Sequence, residues 1–279
     1  TLFESEVRDR FGATLLLRMT PYRDADESVV GVVVTFVSVE RVMSASRKMR
    51  QTHEELQQFA YAVSHALQEP VRIVGTASGS LQASLGDRLD EEEREMLSAA
   101  GAAADRAVSM IRGLLEFSRV QSRGAAPAAS SSATACMEAM RLLRPLIAAT
   151  NANVQMGDLP AVIVDRSQLT QVFYHLIDNA IRYSKAPANV RVSHQRHDHL
   201  VTFKVKDAGI GIAEEDQERA FQVFGLLKPP GSDQATGTGA GLPICKRIIE
   251  RNGGNIWLES TLGEGTSVYF TLPVGMPRR

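Results

Sequence analysis

The sequence predicts an α+β chain in three parts. Residues 29–39 are a β-branched run, while Val42, Met49, Leu56 and Val63 recur every seven residues. After residue 134, helical and strand periodicities alternate. At 279 residues the chain is long enough for two or three domains with separate cores.

The first part reads as strands. Ala13 to Met19 is apolar, residues 21–28 make a polar turn, and Val29 to Val39 follows. In that run Val32, Val34 and Phe36 share one face, and Val33, Thr35 and Val37 the other. Two strands do not make an independent domain, so this is expected to be the end of a larger sheet.

From Arg41 the period changes. Phe59, Ala60 and Leu67 fill the apolar positions between the heptad residues, which is the pattern of a bundle seam. A helix over about 41–85 is predicted, with Pro70 expected to bend it and Gly86-Asp87 turning the chain. Asp90 to Glu93 then set acid on the first turn of a second helix, where the helix dipole favours it. Met96, Ala100, Ala103, Ala107, Ile111, Leu114 and Ser118 give that helix a matching stripe. Such a hairpin exposes too much apolar surface to stand alone, so a four-helix bundle formed by a homodimer is expected.

Residues 123–134 are small and read as a linker. Beyond them a helix is predicted over 135–150 and a strand over 161–164. Asp165 with Gln168 resembles a capping box opening a helix lined by Leu169, Val172, Phe173, Leu176 and Ala180. Strands follow at 189–195, 200–206, 254–260 and 266–272. In the second of these, Val201, Phe203 and Val205 alternate with Thr202, Lys204 and Lys206, as in a sheet with one wet face. A last helix, Leu242 to Arg251, stops at Asn252-Gly253-Gly254. The domain boundaries are therefore set at 1–40, 41–122, 123–133 and 134–279.

Lys and Arg number 31 against 32 Asp and Glu, a formal charge of −1, without the basic excess of a nucleic-acid binder. Cys136 and Cys245 are the two cysteines, too few for a disulfide framework or a Cys-rich zinc site. That usage, the lack of an apolar run long enough to span a bilayer, and a start without a secretory leader lead us to expect a cytoplasmic fragment with no membrane contact of its own.

Three segments of the last third carry chemistry. In His175 to Ser184, Asn179 lies on the polar side of its helix with His175, Asp178 and Arg182. A neutral amide oxygen suits Mg²⁺, which takes its other ligands from water and phosphate. Arg182 can donate to a phosphate, and Tyr183 offers a flat face to a base. In the second segment, Asp207 ends a strand before Gly209 and Gly211, so a carboxylate can accept from an exocyclic amine while bare backbone approaches the ring. In the third, Gly237, Gly239 and Gly241 precede a helix, with Thr236 and Thr238 adding hydroxyls. Free N–H groups there attract phosphate. Taken singly, a solvated helix face and a tight turn explain the first two segments as well. The third is no dinucleotide fingerprint, because its spacing is G-x-G-x-G. Residues 225–235 are irregular and polar and read as a lid over nucleotide.

With the three in order, residues 134–275 resemble the ATP-binding domain of sensor histidine kinases, a branch of the GHKL ATPases. The match runs through His175–Tyr183, Asp207–Gly211, Phe221, Phe224, Gly237–Leu242 and Gly263–Thr266. The resemblance implies an α/β sandwich, ATP with Mg²⁺ as cofactors, Asn179 as the metal ligand and Asp207 as the adenine contact. It also implies nucleotide contacts along the matched glycine positions, Leu242 and Thr266. Topoisomerase and chaperone ATPases share the fold but need a glutamate base near His175, which is lacking here.

Ser64-His65-Ala66-Leu67-Gln68-Glu69-Pro70 resembles the phosphoacceptor box of the same kinases. At about 100° per residue, His65 lies roughly 200° from Val63 and points away from the seam. The resemblance implies autophosphorylation of His65 and transfer to an aspartate on a response-regulator receiver domain. The sequence departs from the family pattern at several positions. Ala66 stands where Asp or Glu is usual, and general-base help is worth roughly 10²–10⁴-fold, so a degenerate, ATP-binding scaffold is the alternative. Glu69 replaces the Thr or Asn of kinases with phosphatase activity, Val164 a common glycine, and His175 a frequent Asn, where it can serve as an auxiliary phosphate contact. Residues 18–23 and 31–36 are similar to the last strands of a PAS sensor domain.

Overall fold

The β-branched and alternating segments of the sequence do become strands, and their pairing defines three sheets. The computed structural model describes residues 3–8, 10, 14–26, 28–38, 40–119, 127–184, 187–225 and 237–274. It falls into two units, Thr1–Phe59 and Ala60–Arg279.

In the first unit, β1 (Phe3–Arg8), β2 (Thr14–Arg23) and β3 (Val29–Ser38) form an antiparallel meander in that order. The sequence reading had no strand at Phe3–Arg8, and it placed Pro21, Tyr22 and Arg23 in the turn. The turn is shorter, with Asp24 Oδ1 accepting from the N–H groups of Asp26 and Ser28. Charged Glu4, Glu6 and Arg8 hid β1 from a hydrophobicity argument, because its partner is the neighbouring strand rather than a core.

Helix α1 (Glu40–Leu85) remains helical through Pro70, and α2 (Glu91–Arg119) returns beside it. Asp90 caps α2 by accepting from Glu93 N–H, while Glu93 accepts in return from Asp90 N–H. The side chains of Val42, Met49, His53 and Leu56 lie outside the described residues. Within one chain, α1 turns small residues toward α2. Ser64 and Ser78 are buried, and Gly75 sits against Ala104. The larger apolar side chains Phe59, Val63, Leu67, Val74 and Leu81 stay exposed, as does Met96 on α2.

The chain then enters a mixed α/β layer. The stretch read as a linker to 133 holds β4 (Ala128–Ser131), paired with β6 (Ala161–Val164), and Ser130 Oγ donates to Val164 O at 2.7 Å. The single helix expected over 135–150 is two. Helix α3 (Ser132–Leu142) is capped by Ser131, and α4 (Arg144–Thr150) restarts at Pro145, which has no N–H to continue the first. A four-residue strand, β5 (Asn153–Met156), was not legible, being too short to show a period.

Helix α5 (Arg166–Arg182) is set by Asp165, whose Oδ1 accepts from Ser167 and Gln168 N–H. It buries Leu169, Val172, Phe173, Leu176, Ile177, Ala180 and Ile181 at helical spacing. Strands β7 (Asn189–His197), β8 (Leu200–Lys206), β9 (Ile256–Thr261) and β10 (Gly265–Pro273) join β5 in a five-stranded sheet of order β5-β7-β8-β10-β9. Only β5 and β7 run parallel in it. The inward residues of this sheet share one core with α3, α5 and α6 (Gly241–Arg251). At its centre, Phe173 meets Phe203 and Phe270 edge-on at 5.9 and 5.7 Å, and the latter two stack at 4.8 Å. Outward Thr202 and Lys204 are half-buried and Lys206 is exposed, giving the expected wet face.

Because Phe203 is fully buried between two rings, Phe203→Ala is expected to destabilise this layer by about 3–5 kcal/mol. A fall in the urea midpoint at unchanged slope checks this.

Candidate functional site

The polar side of α5 faces a cavity of about 720 Å³, within the range of sites that enclose a small cofactor. Asn179, Arg182 and Tyr183 reach it from α5, Asp207 and Gly211 from the loop after β8, and Gly237, Thr238, Gly239, Gly241 and Leu242 from the start of α6. Thr266 at the start of β10 closes one side. The three sequence segments therefore converge on one place. Thr236 and residues 226–235 lie outside the described residues.

Asp207 is the best-defined group. It is buried, and its Oδ1 accepts from Gly209 N–H at 2.8 Å and Thr266 N–H at 3.0 Å. Its Oδ2 has no partner among the described residues. Burial pushes the carboxyl above its ordinary value, and the two N–H groups pull against that shift without cancelling it. Close backbone approach explains the neighbouring glycines. A Cβ on Gly209 would run into the carbonyl of Tyr183, and one on Gly211, already at φ +72°, would strike that of Thr261.

Tyr183 ends α5, its carbonyl accepting from Ile210 N–H at 2.9 Å, which stitches helix to loop. The Thr266 hydroxyl is shared with Ser260 at 2.9 Å. Thr238 Oγ1 accepts from Ala240 N–H at 3.2 Å and so shapes the glycine loop, leaving the hydroxyl hydrogen for another acceptor. Helix α6 begins with no side-chain cap, so its first N–H groups are open. Phe224 N–H donates to Gly239 O at 3.0 Å from a left-handed backbone with φ 61°, and Phe221 packs on the core.

The half-buried Asn179 amide has no partner among the described residues. Arg182 gives its Nε to both oxygens of Asp178 at 2.9 and 2.8 Å. His175 also lines the cavity and is tied to the hairpin. Its Nε2 lies 3.1 Å from Glu116 Oε1 on α2, an oxygen that also accepts from Gln171 at 2.7 Å. Burial pushes the Glu116 carboxyl up, but the hydrogen bond and charge of His175, aided by Gln171, outweigh it and hold the group below the carboxylate range. Glu116 was missed because its partners are more than 50 positions away. The available signal was its helical spacing with Arg112 and Ser109.

Phe117 and Gly113 complete this contact between the hairpin and the α/β layer. Arg247 lies over the Phe117 ring at 4.5 Å, and a Cβ on Gly113 would meet Ala240 Cβ at 2.6 Å. His65 is exposed on α1, one turn from Tyr61, whose ring is 6.3 Å away. It does not line the cavity. Because Gly75 faces Ala104 across the antiparallel hairpin, His65 stands level with Leu114, the stretch of α2 beside the cavity.

The chemistry of this site fits an adenine nucleotide. A buried carboxylate offers a free oxygen to an amine, bare N–H groups wait at a helix start, and an unpartnered amide lines the same cavity. Two family models match the chain. Residues 55–123 match the His Kinase A (phospho-acceptor) domain, and residues 164–276 the histidine kinase-, DNA gyrase B- and HSP90-like ATPase. The chain carries the core of a sensor histidine kinase. It is 34% identical over 250 residues to cyanobacterial phytochrome A of Nostoc sp., covering 89% of this chain and 32% of that one. It is 33% identical over 245 residues to the adaptive-response sensory kinase SasA of Synechococcus sp., covering 84% of this chain and 64% of that one. The chain thus spans about a third of the phytochrome and under two thirds of SasA. The fold is similar to the histidine kinase ThkA solved with the response regulator TrrA (TM-score 0.56, 20% identity, all of this chain and 80% of that one). It is also similar to full-length ShkA with AMPPNP (TM-score 0.55, 22% identity, 80% and 47%). No helix among the described residues is long and apolar enough to cross a membrane.

The raised pKa of Asp207 means that its ionised form costs stability at neutral pH. That cost is relieved as pH falls through the raised value. Asp207→Asn keeps an oxygen for Gly209 and Thr266 but removes the charge. The ligand-free variant is expected to melt no lower than the parent at pH 7, with the gap between them narrowing on acidification, and to lose adenine binding. Calorimetry at pH 7 and pH 5, with a nucleotide titration, checks all three.

Proposed function

We propose that the chain is the catalytic core of a two-component sensor kinase, transferring the ATP γ-phosphoryl group to His65 and then to a response-regulator aspartate. The observation that carries this is an exposed imidazole on the hairpin, level with a cavity of about 720 Å³ on the same chain that Asn179, Asp207 and the glycine motif line. The complex of the histidine kinase ThkA with the response regulator TrrA supports the partner class by likeness of fold. The exposed stripe of Phe59, Val63, Leu67, Val74 and Leu81 supports pairing of two hairpins into a four-helix bundle. The meander β1–β3 is read as the end of a PAS-like input domain.

In this reading Asp207 Oδ2 accepts from the adenine amine while the ring lies against the turn at Gly211. Asn179 would hold Mg²⁺, and such an ion would supply neutralisation of phosphate charge. The N–H groups at Gly239 and Gly241, with Thr238, cradle the phosphates. A ring nitrogen of His65 forms the new bond to the γ-phosphorus as the bond to the β-phosphate oxygen breaks, and ADP leaves. The imidazole must shed its N–H proton in the process. Ala66 offers no carboxylate to take it, and Glu69, one turn on, is paired with Arg72 at 2.7 Å, so water is the acceptor.

Incubation with γ-labelled ATP and Mg²⁺ is expected to give acid-labile, base-stable label that His65→Gln abolishes. Ala66→Asp is expected to raise the labelling rate by roughly tenfold or more. Label that persists in His65→Gln removes the assignment. An unchanged rate in Ala66→Asp removes the account of the missing base.

A further inference from the structure

The nucleotide cavity has a wall that the α/β layer does not supply. Asp105, Arg106, Ser109, Arg112, Gly113 and Glu116 recur at helical spacing on α2 and line it. That face stands at the phosphate end rather than at Asp207. Gly113 is packed so closely on the glycine motif that an added Cβ would lie 2.6 Å from Ala240 Cβ and 3.6 Å from Thr238 Cβ. One turn on, Glu116 holds His175, and the opposite edge of that ring faces Gly241.

Three arginines line the cavity among the described residues, and their circumstances differ. Arg182 is committed to Asp178, and Arg106 has contacts of its own. Arg112 is exposed and makes no ion pair or hydrogen bond with any described residue. It stands beside Gly113, in a cavity whose α/β walls carry the carboxylates of Asp178, Asp207 and Asp216. A polyphosphate entering there needs cationic charge, and a guanidinium offers it permanently, in a fork that matches two phosphate oxygens.

We propose that Arg112, carried on the hairpin, is a phosphate-binding residue of the nucleotide site. Its guanidinium pairs with the phosphate oxygens of a bound adenosine di- or triphosphate, so that hairpin and α/β layer close on the nucleotide from opposite sides. This rests on the reading of the cavity as an ATP site.

The test is calorimetric titration of the full chain with adenosine, ADP and AMPPNP, each with Mg²⁺. Arg112→Ala is expected to weaken AMPPNP by about tenfold or more and ADP measurably, with adenosine unchanged, while Arg112→Lys recovers part of the loss. An AMPPNP affinity equal to the parent's overturns the proposal. So does a loss of the same factor for adenosine, which would mark a structural effect. Asp207→Asn in the same series separates the two levels, because adenosine binding that survives it removes the ATP-site reading itself.

Discussion

One buried carboxylate oxygen holds the site together. Asp207 Oδ1 takes two main-chain hydrogen bonds, one from the turn at Gly209 and one from the start of β10 at Thr266. The first fixes the glycine turn so that Ile210 N–H reaches the carbonyl of Tyr183, and so ties the end of β8 to the end of α5. The second holds β10 in register beside β8, since Asp207 N–H also donates to Thr266 O at 2.9 Å. Burying a carboxylate costs free energy, and two neutral N–H donors leave a net upward pKa shift. The fold tolerates that cost at the one place where a free, desolvated acceptor oxygen has a use.

The architecture was legible wherever a period ran long enough. The apolar positions of α5 repeat over four turns, and Val201, Phe203 and Val205 alternate without a break. The reading failed on short or locally ambiguous pieces. β4 is written in alanine and serine, a linker composition, and becomes a strand because Ser130 and its backbone find β6. β5 has four residues, and β1 alternates charge rather than hydrophobicity. Pro145 should have divided the 135–150 helix in the sequence reading, since a residue without an N–H begins helices more readily than it continues them.

The site was legible within each segment and illegible between them. Asn179, Asp207 and the 237–242 loop carry local signals of glycine and amide spacing, and they meet at one cavity. His175 shows what spacing cannot supply. Its place on the polar face of α5 suggested a phosphate contact, and it does line the cavity, but its tie to Glu116 on another helix is not readable from spacing. The stripe read on α2 followed apolar residues, so the polar face of the same helix went unread. Helix α2 thus has two working surfaces, one toward α1 and one toward the nucleotide cavity.

The character of that second surface bears on how the core works. It consists of a shared carboxylate, a cation over Phe117 and a glycine against an alanine. Phe117 packs against the core, but the other contacts are polar or made by small residues, and polar contacts at a partly wetted boundary contribute little net free energy each. A kinase core needs such economy, because His65 does not line the cavity in this arrangement. In the proposed reaction, were it to run within one chain, the α/β layer would have to shift along or around the stem for a γ-phosphate to reach that imidazole, exchanging these contacts for others. A boundary built like the Phe173–Phe203–Phe270 core would lock the nucleotide away from its acceptor. The largely polar boundary and the strong apolar core therefore both suit the proposed reaction, which asks for a site rigid within itself and free to move against the hairpin that carries the histidine.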